Sequence, residues 1–209
     1  MMNNDLTMRL DNNNPGSTPP YDLFAARPDR KGPKTIAILL IISSIIMVVV
    51  AYGDLSLASA EDLTQEELDT LLTNVRTAND ENITDEEYQD FHDEARESGA
   101  YSMRGWSVMV GGIAIFIGGI LLFRLNSSGA KLSIGGAVIS GIGGLYANWK
   151  IYNISVDMLP DSLILANRIS GYLCGICMFI CVAVSALPLI NAAARAALDQ
   201  KVALVQEEE

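Results

Sequence analysis

The chain has 209 residues, half of them hydrophobic, and carries a formal net charge of −11. This length leaves room for one bundle and one insert and excludes a second large domain. An ordinary soluble domain is also excluded, because four stretches contain no Asp, Glu, Lys, Arg or His: residues 35–53, 105–123, 132–149 and 169–194. About 20 apolar residues in a helix cross roughly 30 Å of hydrocarbon. The sequence therefore predicts an all-α integral membrane protein with a bundle of four transmembrane helices, here called spans 1 to 4.

The first 34 residues precede span 1 and are rich in Asn, Pro, Asp and Gly. They show almost no apolar periodicity, which predicts a disordered tail. Positive side chains in short flanking loops are retained in the cytoplasm. Bases flank one end of all four spans: Arg27, Arg30, Lys31 and Lys34 before span 1, Arg124 and Lys131 between spans 2 and 3, and Arg195 and Lys201 after span 4. We therefore expect a multi-pass protein of the cell membrane with both termini cytoplasmic.

The end of span 1 has an alternative interpretation. Ala58, Ser59 and Ala60 have the small-x-small form of a signal-peptidase site after an apolar run. The polar segment before the run is far longer than the polar N-terminal region of an ordinary signal peptide, which favours retention of the span. Cleavage would leave three spans and an N-terminus outside the cell.

The acidity of the chain is concentrated in residues 54–104, which hold fifteen acids and three bases, a net charge of −12. Leucines recur there at helical spacing after Leu63, and Thr64 with Glu67 has the spacing of a capping box. Thr84 and Glu87 repeat the box before a second apolar stripe. The pattern predicts an acidic extracytoplasmic helical hairpin between spans 1 and 2. Its surface for attracting a partner or cations is predicted at Glu86, Glu87, Asp90, Asp93 and Glu94.

Three patterns suggest a metal site, and none of them is complete. Residues 81–88 resemble the end of an EF-hand loop, but Arg76 and Ala78 would then stand where Ca²⁺ needs oxygen ligands. His92 is the only histidine, and an exposed surface residue is the favoured interpretation. Three cysteines in span 4, at 174, 177 and 181, lack a fourth ligand and suit helix packing. We therefore expect no metal and no cofactor.

Small residues recur along one side of spans 2, 3 and 4. Such residues let helix backbones approach closely, and in lipid the resulting van der Waals contact drives association. We expect spans 2 to 4 to form the tight centre and span 1 to be peripheral or available to a partner. The predicted packing residues are Ser107, Gly111, Ala114, Gly118, Gly136, Ser140, Gly144, Gly171 and Gly175.

The remaining segments are predicted to be short connections and a tail. Residues 124–131 form a cytoplasmic turn, residues 150–168 an extracytoplasmic loop, and residues 195–209 a cytoplasmic helical tail. Aromatic residues cluster at the predicted outer ends of the spans, the interfacial level that their rings favour.

Two functional classes fit this sequence. The first is a non-enzymatic accessory or scaffold protein that presents the acidic hairpin to a protein partner or to a second copy of itself. The alternative is a small channel or transporter subunit in which the hairpin is a cation-attracting vestibule. An enzyme is disfavoured because no nucleophile, base and oxyanion set can be assembled from the Ser, Cys and Asn of the spans. The expected surroundings are the lipid bilayer, and no nucleic-acid partner is expected.

Overall fold

The computed structural model describes residues 28–60, 62–79 and 83–198, and every regular element in these ranges is an α-helix. Four of the helices are long and apolar enough to cross a membrane, in agreement with the four uncharged runs. Most of each predicted tail lies outside the described residues. The helices are α1 (Lys31–Ser59), α2 (Gln65–Asn79), α3 (Asp85–Glu97), α4 (Ala100–Phe123), α5 (Ser127–Met158) and α6 (Asp161–Ile190).

The long helices extend beyond the uncharged runs. α5 continues through Lys150 to Met158, and α6 begins at Asp161, so most of the predicted loop over residues 150–168 is helical. A helix satisfies its own backbone hydrogen bonds in water as well as in lipid, so a charged residue marks a membrane boundary without ending the helix. α5 ends where Leu159 precedes Pro160, because proline disfavours the helical conformation in the residue before it. The predicted turn over residues 124–131 is likewise shorter, since α5 already begins at Ser127.

α4 lies between α1 and α5, while α6 packs mainly on α5. The α4–α5 approach depends on glycines. A Cβ atom built on Gly136 would lie 2.7 Å from the Gly111 carbonyl oxygen, and one on Gly129 would lie 2.5 Å from that of Gly118. Real side chains do not reach such distances, so glycine sets the spacing of these two helices.

A second glycine face of α4 contacts α1. A Cβ atom on Gly119 would lie 2.8 Å from Ile41 Cγ1, and one on Gly112 would lie 3.3 Å from Val48 Cγ2. α1 lies at an edge of the bundle, as expected for span 1, but α6 lies at the other edge, so the expectation that spans 2 to 4 form the tight centre does not match the structure. Only 17% of the most apolar stretch of α6 is buried, against 28% for α1. The predicted packing residues Gly111 and Gly118 lie on one side of α4, and α1 packs on the adjacent side.

A second apolar cluster joins α2 and α3 to one end of the long helices, which we call the outer end. Leu68 and Leu72 of α2 are buried together with Phe91 and Ala95 of α3. The long helices contribute Tyr101, Ile151 and Leu159. The two short helices therefore share a hydrophobic core with the bundle.

At the opposite end of the bundle the chain turns after α6. Pro188 lies inside the last turn of α6, and α6 ends at Ile190. The side chain of Asn191 accepts hydrogen bonds from the backbone N–H groups of Ala193 (2.9 Å) and Ala194 (3.3 Å), as an N-cap does. A new helical segment then covers residues 192–198. The predicted continuation of span 4 to residue 194 is thus interrupted by a capped break.

Candidate functional site

The outward surface of α3 is acidic because its apolar residues are used in the core. Phe91 and Ala95 are 3% and 0% exposed. Five carboxylates of α3 are exposed, namely those four predicted at Glu86, Glu87, Asp90 and Glu94, which we call the acidic face of α3, and in addition Glu97. The fifth predicted residue, Asp93, differs from these. It is half-buried, and its Oδ1 accepts hydrogen bonds from Arg96 and from the Gln89 amide, each at 3.3 Å.

The start of each short helix is fixed by the predicted capping box. Thr84 Oγ1 accepts from the Glu87 backbone N–H at 3.2 Å, and the Glu87 carboxylate accepts from the Thr84 N–H at 2.9 Å. Thr64 and Glu67 make the same reciprocal pair at the start of α2. Hydrogen bonds from the Thr64 and Thr84 backbone lower the pKa values of Glu67 and Glu87. These carboxylates therefore stay ionised under mildly acidic conditions.

Polar contacts connect α2 to α3. The guanidinium group of Arg76 donates to the Ile83 carbonyl at 2.8 and 3.0 Å and to Asp85 Oδ1 at 2.6 Å. The Gln65 amide donates to the other oxygen of Asp85 at 2.6 Å, and the Leu63 N–H donates to the Gln89 side chain at 3.0 Å. The hydrogen bond from Arg76 is the main cause of a lowered Asp85 pKa.

A buried ionic network joins the outer ends of three long helices. Arg104 of α4 donates from Nε to Asp54 of α1 at 2.9 Å, and its Nη2 also bonds that carboxylate. Its Nη1 donates to Asn148 Oδ1 of α5 at 3.1 Å. The Asp54 side chain is 6% exposed and that of Arg104 is 22% exposed. Both charges were expected in the acidic loop, but Asp54 lies in α1, directly after span 1, and Arg104 lies in α4, directly before span 2.

His92 is buried, which corrects the expectation of an exposed surface histidine. It is 1% exposed, and its ring centroid lies 5.5 Å from that of Tyr101. Its Nδ1 lies 3.8 Å from Asp93 Oδ1, too far for a hydrogen bond. Burial lowers the pKa of His92, and the nearby Asp93 carboxylate opposes this shift. The imidazole is therefore neutral at pH 7.

Lys150 attaches the junction between α3 and α4 to α5. Its Nζ donates to the backbone carbonyl of Ser98 at 2.6 Å. The next residue, Gly99, has φ +74°, a left-handed conformation that glycine adopts without strain and that lets α4 begin directly after α3. Together with the shared apolar cluster, this bond holds α3 in a defined orientation on the bundle.

The predicted packing residues fall at two helix contacts. Ser107, Gly111 and Gly118 of α4 face Gly136, Ser140 and their neighbours on α5, and Ser140 Oγ donates to the Ser107 carbonyl at 3.3 Å. A Cβ atom on Gly136 would lie 2.9 Å from Ala114 Cβ, which places Ala114 at the same contact. Gly144, Gly171 and Gly175 lie at the looser α5–α6 contact, where added Cβ atoms would meet neighbours at 3.1 to 3.6 Å. Sequence reasoning missed Gly105, Gly112 and Gly119, whose seven-residue spacing marks the α1 contact.

The described residues contain no group of three or more His, Cys, Asp or Glu placed to hold a metal ion. Within span 4, Cys174 and Cys181 are half-buried and Cys177 is exposed, all as free thiols. The chain matches no known family model, no curated protein and no solved structure. The arrangement in the described residues is a row of exposed carboxylates on a helix that packs against an apolar bundle.

Proposed function

We propose that the chain is a four-span membrane protein that holds an acidic helical hairpin, formed by α2 and α3, outside the cytoplasm as a docking surface for a basic protein partner. The observation that carries the proposal is the attachment of α3 to the bundle. Phe91 and Ala95 lie in a core shared with Tyr101 and Ile151, so the acidic face of α3 points away from that core at a defined angle. A surface held in place loses little entropy when it binds a partner.

The predicted orientation supports this role. Four spans would put both termini on one side of the membrane, and the positive residues that flank the candidate spans favour the cytoplasm as that side. The hairpin then lies on the opposite side, in the external medium. Long apolar surfaces on α1 and α6, with Val49 66% and Phe179 74% exposed, support contact with lipid.

The partner is expected to present lysine or arginine. A carboxylate row accelerates encounter with a cationic surface and suppresses encounter with an anionic one. The association should weaken as the salt concentration rises, because exposed charges are screened within about 10 Å at 0.1 M salt.

The test is carbodiimide crosslinking in native membranes, which joins carboxylates to nearby lysines. The variant E86Q/E87Q/D90N/E94Q removes four charges, and its E87Q change preserves the capping box because glutamine can replace glutamate there. A matched control, D157N/D161N, neutralises two exposed acids at the connection between α5 and α6. We expect heteromeric adducts of the wild type to persist in the control and to disappear in the fourfold variant. Equal adducts in both variants would contradict the proposal.

The channel alternative predicts flux of cations in reconstituted liposomes. The close α4–α5 packing favours the scaffold, because the glycine faces of both helices are occupied by each other. Flux that depended on the acidic face of α3 would instead support the vestibule.

A further inference from the structure

A groove lies between α5 and α6 at the outer end of the bundle. Its volume is about 310 Å³, roughly that of ten water molecules at about 30 Å³ each. Three of its lining residues are aromatic, namely Trp149 and Tyr152 of α5 and Tyr172 of α6. Gly171 leaves its floor without a side chain. A space of this size accommodates a small headgroup.

The groove carries a positive charge. Arg168 is the only charged residue among the described residues that line it, and the nearby acids Asp157 and Asp161 are not part of the lining. Arg168 Nε donates to the Tyr172 hydroxyl at 3.2 Å, and its guanidinium carbon lies 5.7 Å from the Tyr172 ring centroid. The side chain is thus oriented by Tyr172. A guanidinium group pairs well with phosphate oxygens, since its N–H donors match their geometry.

Two amides add neutral donors to the lining, those of Asn148 and Asn167. The Asn148 oxygen accepts from Arg104 at 3.1 Å, and because arginine can only donate, the contacting atom is the amide oxygen. The –NH₂ group of Asn148 is then the part that can donate to a ligand. Guanidinium and amide donors without carboxylates suit an anion with several acceptor oxygens.

The position of the groove favours a lipid as its ligand over a soluble anion. Trp149, Tyr152 and Tyr172 have the composition of an interfacial belt, where headgroups lie. Leu145 lines the groove one turn deeper, and the apolar surface continues to Ile142 on α5 (69% exposed) and to Leu173 on α6 (57% exposed). A soluble anion would leave this surface unused, whereas acyl chains would cover it.

We propose that this groove binds the phosphate headgroup of an anionic phospholipid, with Arg168 as its charged contact and the α5–α6 surface below it as the bed for the acyl chains. The inference rests on the membrane insertion that is part of the proposed function. It does not depend on the acidic face of α3 or on a protein partner.

Fluorescence of Trp149 tests the site. The chain has two tryptophans, so W106F leaves Trp149 as the only one. The protein is reconstituted into phosphatidylcholine vesicles that contain a small fraction of brominated lipid, either phosphatidylglycerol or phosphatidylcholine. We expect brominated phosphatidylglycerol to quench Trp149 at about one tenth of the concentration needed for brominated phosphatidylcholine, as one charge-assisted hydrogen bond of about 1.5 kcal/mol would give.

In the W106F background, R168Q should make the two brominated lipids quench Trp149 equally. R168K should retain part of the preference for phosphatidylglycerol. The matched control R195Q removes an exposed cation at the opposite end of the bundle and should leave the preference intact. Equal quenching by both lipids with Arg168 present, or a preference that survives R168Q, would overturn the proposal. Excess inorganic phosphate should have no effect, and its abolishing the preference would show a soluble-anion site instead.

Flotation of the same vesicles separates this inference from the proposed function. Protein that floats with the vesicles without lipid preference contradicts only the lipid site. Protein that does not float contradicts membrane insertion as well.

Discussion

His92 is a titratable side chain beside the core that joins α2 and α3 to the bundle. Asp93 and Arg96 of α3, Glu67 of α2 and Tyr101 of α4 are the ionisable groups that act on it or contact it. Its pKa lies below the ordinary value of 6.5 because burial disfavours the charged form. His92 therefore takes up a proton near pH 6.5 in the unfolded chain, whereas in the folded chain it takes up the proton only at a lower pH.

Stability should consequently depend on pH in a defined window. The contribution of His92 to stability is fully present well above pH 6.5. It is lost as the pH falls from 6.5 towards the folded-state pKa of His92. Thermal unfolding in mild detergent at pH 7.5 and 5.5 measures the loss. The variant H92F, of similar shape, should lose less stability over the same interval. A pH dependence identical to that of the wild type would exclude His92 as the cause.

The pair of Asp54 and Arg104 leads to a second prediction. R104Q leaves a buried carboxylate without its cation, so we expect a loss of roughly 2–4 kcal/mol, somewhat below the value for a fully buried pair because Arg104 is partly exposed. The double variant D54N/R104Q removes both charges and should recover much of that loss. Melting temperatures in detergent provide the comparison. Additive losses would show that the two side chains do not interact.

Sequence could not predict the environment of these three residues. In the sequence His92, Asp54 and Arg104 are polar residues outside the uncharged runs, and polar residues are mostly exposed. Their burial arises because α3 packs onto Tyr101 while α1 and α4 meet at their outer ends. Contacts between residues 50 positions apart leave no local periodic signal.

At the scale of elements, local chemistry predicted the helix starts well. The boxes of Thr64 with Glu67 and Thr84 with Glu87 are confirmed by reciprocal hydrogen bonds. These signals lie within four residues of sequence and need no tertiary context. Helix ends in the long spans were not predictable from charge, since α5 continues eight residues beyond Lys150.

The contact between α4 and α5 gives a prediction with a built-in control. A Cβ atom on Gly111 would overlap Ser140 Oγ and the Gly136 carbonyl, whereas one on Gly135 would meet nothing within 4 Å. We expect G111A to cost about 1–3 kcal/mol through overpacking. The control G135A should be neutral or slightly stabilising, because alanine favours helix over glycine.

Melting temperature in one detergent measures both variants. For a chain of this size each kcal/mol corresponds to about 2–4 °C. Equal behaviour of the two variants would mean that α4 and α5 are not closely packed at Gly111.

At the scale of the molecule, the number of helices long and apolar enough to cross a membrane could be predicted and their arrangement could not. Runs without charge identify spans because charged groups are costly in hydrocarbon. The order in which the helices pack depends on which face of α4 receives α1. Gly112 and Gly119 directly follow Gly111 and Gly118 in the sequence, and nothing in the sequence indicates which of these two glycine faces contacts which helix.

The proposed topology is testable by cysteine labelling in intact cells. D90C places a thiol on the acidic face of α3, and R195C places one at the opposite end of the bundle. A membrane-impermeant maleimide should label D90C directly and R195C only after permeabilisation, with the wild type as background for the three native cysteines. The reverse pattern would invert the topology.

The ion pair between Asp54 and Arg104 also constrains the order of events during synthesis of the chain. The two residues are 50 positions apart, and ribosomes add about 5–20 residues per second, so the carboxylate leaves the ribosome roughly 3–10 s before its counterion. During that interval the Asp54 carboxylate lacks the guanidinium group that it bonds in the folded chain. The contact that joins the ends of α1 and α4 can therefore form only after both α2 and α3 have been translated.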